Sequence, residues 1–332
     1  MGSLQGQRAS DWKVPPNRTP CQETEPGTKS GLVPPQKPRP APFDRRFHEI
    51  EPSSVNAQSP LQIRHATHPA QVPGFDTAGL RAQYLVDDLF TPDAVTAVLT
   101  HHDRIVLAGA VPASGPLTLN TWPELRSEYF LERREAGIVN VGGPGTVTAD
   151  GTKYELTTGA CLYVGRGTRE VIFEGTDSAF YVFSANAHTE FPTALVNPGE
   201  GNRLELGDQQ TANRRTIDQY IHAGGVQSCQ VVLGVTTLHA GSTWNTMPAH
   251  THDRRTECYL YFGLPETERI VHLLGEPDET RHLLVADRQA IISPSWSIHS
   301  GVGTSSYSFV WAMAGENQAF TDMDGVDVRD LR

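Results

Sequence analysis

The chain has 332 residues, 38% hydrophobic and 20% charged, which is ordinary for a soluble enzyme and long enough for two domains or one domain with a tail. Its charge of −11 is uneven: residues 1–61 hold eight Lys/Arg and six Asp/Glu, leaving 19 basic and 32 acidic residues, a balance of −13, in 62–332. A body that acidic repels nucleic acid and anionic membranes, and no apolar run approaches the ~20 residues needed to span a bilayer.

The N-terminus lacks the apolar stretch of a secretory signal, and Gly6 breaks the myristoylation pattern that Met1-Gly2 would begin. Cys21, Cys161, Cys229 and Cys258 show no paired spacing, so reduced thiols in the cytoplasm are the simplest reading. Neither a nucleic acid nor a membrane is expected as a partner.

Residues 1–61 contain 11 of the 24 prolines and show neither helical nor strand periodicity. Such a segment buries too little apolar surface to offset its ordering entropy, so a disordered Pro-rich tail is expected. The pattern over 77–90 suggests a short amphipathic helix. After it come short β-rich runs separated by Gly, Pro and Asp, at 104–108, 137–141, 145–149, 179–184, 230–238, 259–262, 270–274, 281–285, 290–292 and 307–313. Many short strands with close turn signals predict an all-β sandwich or barrel. The cluster Gly142-Gly143-Pro144-Gly145 reads as a hairpin loop, since no helix follows it, and no Gly-x-Ser-x-Gly elbow is present.

A weak internal repeat divides the strands into two sets. Leu131-Glu-Arg-Arg-Glu135 parallels His252-Asp-Arg-Arg-Thr256, and 160–169 parallels 290–299. The repeat predicts two similar β-barrels, one over 62–215 and one over 216–332. In this alignment Tyr129, Leu131 and Arg169 stand where the second copy has His250, His252 and His299, so only the second copy can carry a metal.

Alternation along a strand points His250 and His252 to one face. Glu257 lies five residues beyond His252, an odd offset, so a bend or bulge must intervene before it joins them. His299 arrives from a later strand-like segment. Three imidazoles and a carboxylate suit Zn, with Fe, Ni, Cu and Mn open on spacing alone.

A duplicated barrel with His-x-His-x4-Glu and a distant His resembles a cupin. The runs 244–257, 277–282, 292–303 and 315–318, the ending 322–332, and 129–134 with 211–217 upstream are similar to the 5-keto-4-deoxyuronate isomerase family, a resemblance covering about 62–332. It implies a bicupin and an intramolecular oxidoreductase of the ketol-isomerase type. The reaction it implies converts 5-dehydro-4-deoxy-D-glucuronate to 3-deoxy-D-glycero-2,5-hexodiulosonate in pectin and uronate breakdown. It further implies one zinc ion per chain, bound by His250, His252, Glu257 and His299, and a homohexamer. A metal-dependent cupin dioxygenase and a sugar-sensing cupin are the alternatives. Isomerisation needs a base, for which His282 and Glu279 are candidates, and an anionic substrate needs a cation, for which Arg254, Arg255, Arg281 and Arg169 are candidates.

Overall fold

Two large sheets organise the chain. The computed structural model describes residues 57–332 apart from 317, 320 and 321. In the first half an eight-stranded sheet, with Val106–Ala110, Phe180–Asn186, Arg134–Asn140 and Cys161–Val164 at its centre, faces a four-stranded sheet that includes Gly145–Ala149 and Val171–Glu174. In the second half a seven-stranded sheet runs in the order Asn202–Leu206, Arg215–Ile221, Val232–Leu238, Ser308–Gly315, Arg255–Phe262, Ala290–Ser293 and Leu85–Val86. A four-stranded sheet of Trp244–Asn245, Ser300–Gly303, Ile270–Glu276 and Glu279–Val285 accompanies it. The fold is all-β, as the spacing of turns predicts.

Period-two burial explains this layering. In Arg255–Phe262 every residue is buried, but the two faces meet different neighbours. Cys258, Leu260 and Phe262 join a core shared with Val139, Tyr181 and Phe183 of the first half, so the two large sheets pack back to back. Tyr259 and Tyr261 point the other way, into a core with Ile270, Leu283 and Trp311. A strand covered on both faces reads as an unbroken apolar run, which is how 259–262 reads. A third core, including Ile138, Phe173 and Val182, fills the first half. Both halves belong to one compact unit.

Three expectations change at their edges. Residues 1–56 of the Pro-rich tail, for which disorder is expected, lie outside the described residues. Its last residues are ordered: Ala57–Gln58 runs parallel to Ala94–Thr100, Leu61 is buried, and Trp122 Nε1 donates to the Ser59 carbonyl at 2.9 Å. The body therefore begins by 57 rather than 62.

The helix expected over 77–90 ends early. It spans Thr77–Tyr84, capped by the Asp76 carboxylate, which accepts from the Gly79 N–H at 2.8 Å. Tyr84, Leu85 and Val86 are consecutive and all buried. A helix with one apolar face cannot bury three neighbours in a row, so the chain straightens and Leu85 pairs with Ile291.

The seven-stranded sheet also takes Leu85–Val86 and Asn202–Leu206 from before the expected boundary at 215/216. The second of these pairs with Arg215–Ile221 as a hairpin, Leu206 opposite Arg215.

Candidate metal centre

The odd offset between His252 and Glu257 is absorbed by a turn. His250–Thr251 is a two-residue strand paired with Asp324–Gly325, and the chain turns at Asp253–Arg254 before entering Arg255–Phe262. Glu257 then lies on the same face as Tyr259, on the concave side of the seven-stranded sheet. His299 sits on the other sheet, just before Ser300–Gly303, after the loop that leaves Ala290–Ser293. Main-chain pairing thus brings the four side chains together from three places.

Their ligand atoms all lie within 4.8 Å of one another. Glu257 Oε2 stands 2.9 Å from His252 Nε2 and 3.0 Å from His299 Nε2, and His299 Nε2 stands 3.0 Å from His250 Nε2. Bonds of about 2.0–2.2 Å place two donors on one ion roughly 3–4.4 Å apart, so small rotations of these side chains fit them to a single cation. His252, Glu257 and His299 are buried and His250 is half-buried.

Electrostatics also calls for a cation. Burial alone would push the Glu257 carboxyl up, but the His299 charge and hydrogen bonds from His252 and His299 outweigh it and hold the group well below the usual carboxylate range. His252 is pulled down by burial and raised further by Glu257, with a net rise. Burial, with His299 beside it, takes His250 down to about 3. One buried carboxylate and three imidazole nitrogens make a donor set that suits a divalent cation. The His252 Nδ1–H donates to the Arg255 carbonyl at 2.9 Å, so Nε2 is the nitrogen turned to the cluster, and its lone pair would bind an ion in place of the proton it shares with Glu257.

The cluster opens on a cavity of about 250 Å³ walled by Tyr259, Phe309, Trp311 and Met313. The wall depends on Gly234, because a Cβ there would stand 2.2 Å from Trp311 Cζ2. The Tyr259 hydroxyl is 2.8 Å from Thr246 Oγ1, and both residues line the cavity. Burial, and the Glu257 charge after it, drive the Tyr259 phenol far above its usual range, so it stays protonated and can donate.

A model of the KduI/IolB family matches residues 92–328. The chain belongs to the KduI/IolB family. Among its curated relatives, the 4-deoxy-L-threo-5-hexosulose-uronate ketol-isomerase of Kineococcus radiotolerans is 67% identical, over 82% of this chain and 100% of that protein. The enzyme of the same name from Formosa agariphila is 51% identical, over 82% of this chain and 98% of that protein. An IolB-like protein of Salmonella typhimurium LT2, 17% identical, shares the fold with a TM-score of 0.53, covering 67% of this chain and 86% of that one.

Of the residues singled out in the sequence, the structure brings together the four expected ligands and places Arg255 beside them in the cavity wall. Arg255 is buried, and its Nη2 pairs with Asp322. The other candidates do not reach the cavity. His282 and Glu279 are exposed on Glu279–Val285: alternation turns Leu283 and Val285 inward and His282 outward, and Glu279 lies at the hairpin end of the strand. Arg281 pairs with Glu279 at 2.7 Å, and Arg254 pairs with Glu316 at an outer hollow. Arg169 lies 4.9 Å from the Tyr129 ring centroid, so the first-half counterparts of His250 and His299 meet in a cation–π contact. Among the described residues the only grouping of potential ligands is the one in the second half.

Three residues at or near the site went unremarked in the sequence. Tyr259 and Arg215 line the cavity, and Arg215 belongs to the run 211–217 that carries part of the family resemblance. His272 is fully buried, its Nδ1 2.7 Å from the Tyr261 hydroxyl. It stands alone in an apolar run, and nothing in the spacing marks it.

Proposed function

We propose that this chain is the ketol-isomerase that its relatives are named for, acting on 4-deoxy-L-threo-5-hexosulose uronate (5-dehydro-4-deoxy-D-glucuronate), with zinc as its metal. One observation carries the reading: three imidazoles and one ionised carboxylate converge beside a cavity walled by aromatic and apolar side chains, in a chain 67% identical to one such enzyme. His250, His252, Glu257 and His299 hold the ion. When bound, it supplies Lewis acidity to adjacent carbonyl and hydroxyl oxygens without redox chemistry.

The remaining work falls to the protein. Phe309, Trp311 and Met313 keep bulk water from the reacting carbons, which protects an enediol from side reactions. Tyr259 Oη, kept protonated by burial, donates toward the substrate oxygens, and Thr246 Oγ1 orients it. The names of the relatives favour isomerisation over the dioxygenase and sensing alternatives.

The same reading takes the two sheet pairs as two cupin barrels, the first reaching Val196, the second beginning at Asn202 and borrowing Leu85–Val86, with the metal in the second. It takes residues 1–56 of the tail as dispensable, the assembly as a homohexamer and the compartment as the cytoplasm. In support of the last, Cys161, Cys229 and Cys258 are free, and among the described residues no helix is long and apolar enough to cross a membrane.

The test is an assay of zinc-loaded protein on the keto-uronate formed from the unsaturated product of a pectate lyase, with dissolved oxygen followed alongside. Formation of the 2,5-diketo acid with no oxygen consumed is the expected result. Oxygen uptake matching substrate loss would establish the dioxygenase instead.

A further inference from the structure

The cavity wall contains a cation that no acid balances. Arg215 lines the cavity at the start of Arg215–Ile221, where it faces inward with Ile217. Its guanidinium donates from Nη1 to the Asn213 carbonyl at 3.0 Å, and no carboxylate pairs with it among the described residues. Every other arginine considered for the substrate, apart from the stacked Arg169, has a counter-ion: Arg254 has Glu316, Arg255 has Asp322 and Arg281 has Glu279. Arg255 also lines the cavity, but Asp322 already balances its charge, and its Nε and Nη1 are buried.

Position matters as much as charge. In the sheet, Arg215–Ile221 is three strands from Arg255–Phe262, through Val232–Leu238 and Ser308–Gly315. At ~4.8 Å per strand the two strands run about 14 Å apart across the sheet. Arg215 pairs with Leu238, whereas Glu257 is level with Met313 and Val232, so the two side chains are also offset along the strands and meet only through the shared cavity. Arg215 and the metal-binding His250, His252 and Glu257 thus come from different parts of the sheet to one cavity, whose wall Trp311 and Thr236 share. A half-buried guanidinium beside Leu206 and Ile217 loses hydration that only an anion restores. In a body of net charge −13 such a locally positive wall is not a general property of the surface.

We propose that Arg215 binds the carboxylate of the substrate, holding the acid end of the sugar while the carbonyl end meets the metal site, and so selects uronic acids over neutral sugars. This assignment rests on the isomerase reading above. It makes Arg215 a specificity-determining residue and leaves the proton transfers to other groups.

The test compares zinc-loaded wild type, Arg215→Met and Arg215→Lys on the keto-uronate and on its methyl ester. Wild type should prefer the acid. Arg215→Met should lose about 10–100-fold in kcat/KM on the acid, mainly through KM, while the ester changes little. Arg215→Lys should recover part of the loss. Metal content and melting temperature should match wild type in both variants, which a structural role would not allow. Equal losses on acid and ester, or an unchanged preference for the acid in Arg215→Met, would overturn the assignment while leaving the isomerase reading intact. Wild type inactive on both compounds would overturn both.

Discussion

Glu257 and His299 belong to different sheets, yet Glu257 Oε2 lies 3.0 Å from His299 Nε2 with both side chains buried. The contact is a consequence of main-chain register. Glu257 pairs with Ser293 in the seven-stranded sheet, and the chain then crosses through Pro294–Ile298 so that His299 precedes the strand at Ser300. The Ser297 hydroxyl, which accepts from the Gly275 N–H at 2.9 Å, fixes this crossing loop from within. The site therefore depends on how two sheets are held together as much as on its four ligands.

Glu257→Gln keeps the shape of the side chain and removes its charge. Replacing an outer hydrogen-bond partner of a ligand costs roughly 10–100-fold in metal affinity, and loss of the one anionic ligand should cost more than that. Competition with a chelator measures it. Affinity within a few-fold of wild type would show that Glu257 does not bind the ion.

Truncation separates the tail from the body. Removal of residues 1–56 should leave turnover and melting temperature unchanged. Removal of 1–61 takes away the strand Ala57–Gln58, the Ser59 acceptor of Trp122 and the buried Leu61 side chain. That should cost about 2–4 kcal/mol by denaturant titration. Equal stability of the two truncated proteins would show that 57–61 contributes nothing.

His272 gives the stability a pH dependence of known sign. Burial, with the His299 charge adding to it, takes its pKa down to about 3. Between pH 3 and the unfolded value near 6.5, the unfolded chain binds a proton that the native state refuses. Its contribution is therefore complete above about pH 6.5, falls as the pH drops, and is down by roughly 2 kcal/mol at pH 5. The difference in unfolding free energy between His272→Gln and wild type, followed from pH 7 to pH 5, isolates this group. A difference that does not move with pH would contradict the assignment.

Much of this was legible in the residues. The His250/His252 alternation and the odd step to Glu257 state a constraint that the turn at Asp253–Arg254 meets. Apolar runs such as 259–262 mark strands covered on both faces. Less legible were features that depend on partners distant in the chain. Nothing near Leu85 announces that it pairs with Ile291, so the helix pattern was extended too far. His282 and Glu279 are near the ligands in sequence, but alternation turns His282 to solvent and Glu279 sits exposed at the hairpin end of its strand, opposite Glu276. Arg215 is 35 residues before the first ligand, and only the closing of the sheet brings it to the cavity.

The most direct test of the account is titration of metal-stripped protein with zinc, following bound metal and ketol-isomerase activity together. Activity should rise linearly with bound zinc and break at one ion per chain, and His252→Ala and His299→Ala should show neither uptake nor activity in the same range. Full turnover by stripped protein that takes up no metal, or an activity break well away from one ion per chain, would contradict it.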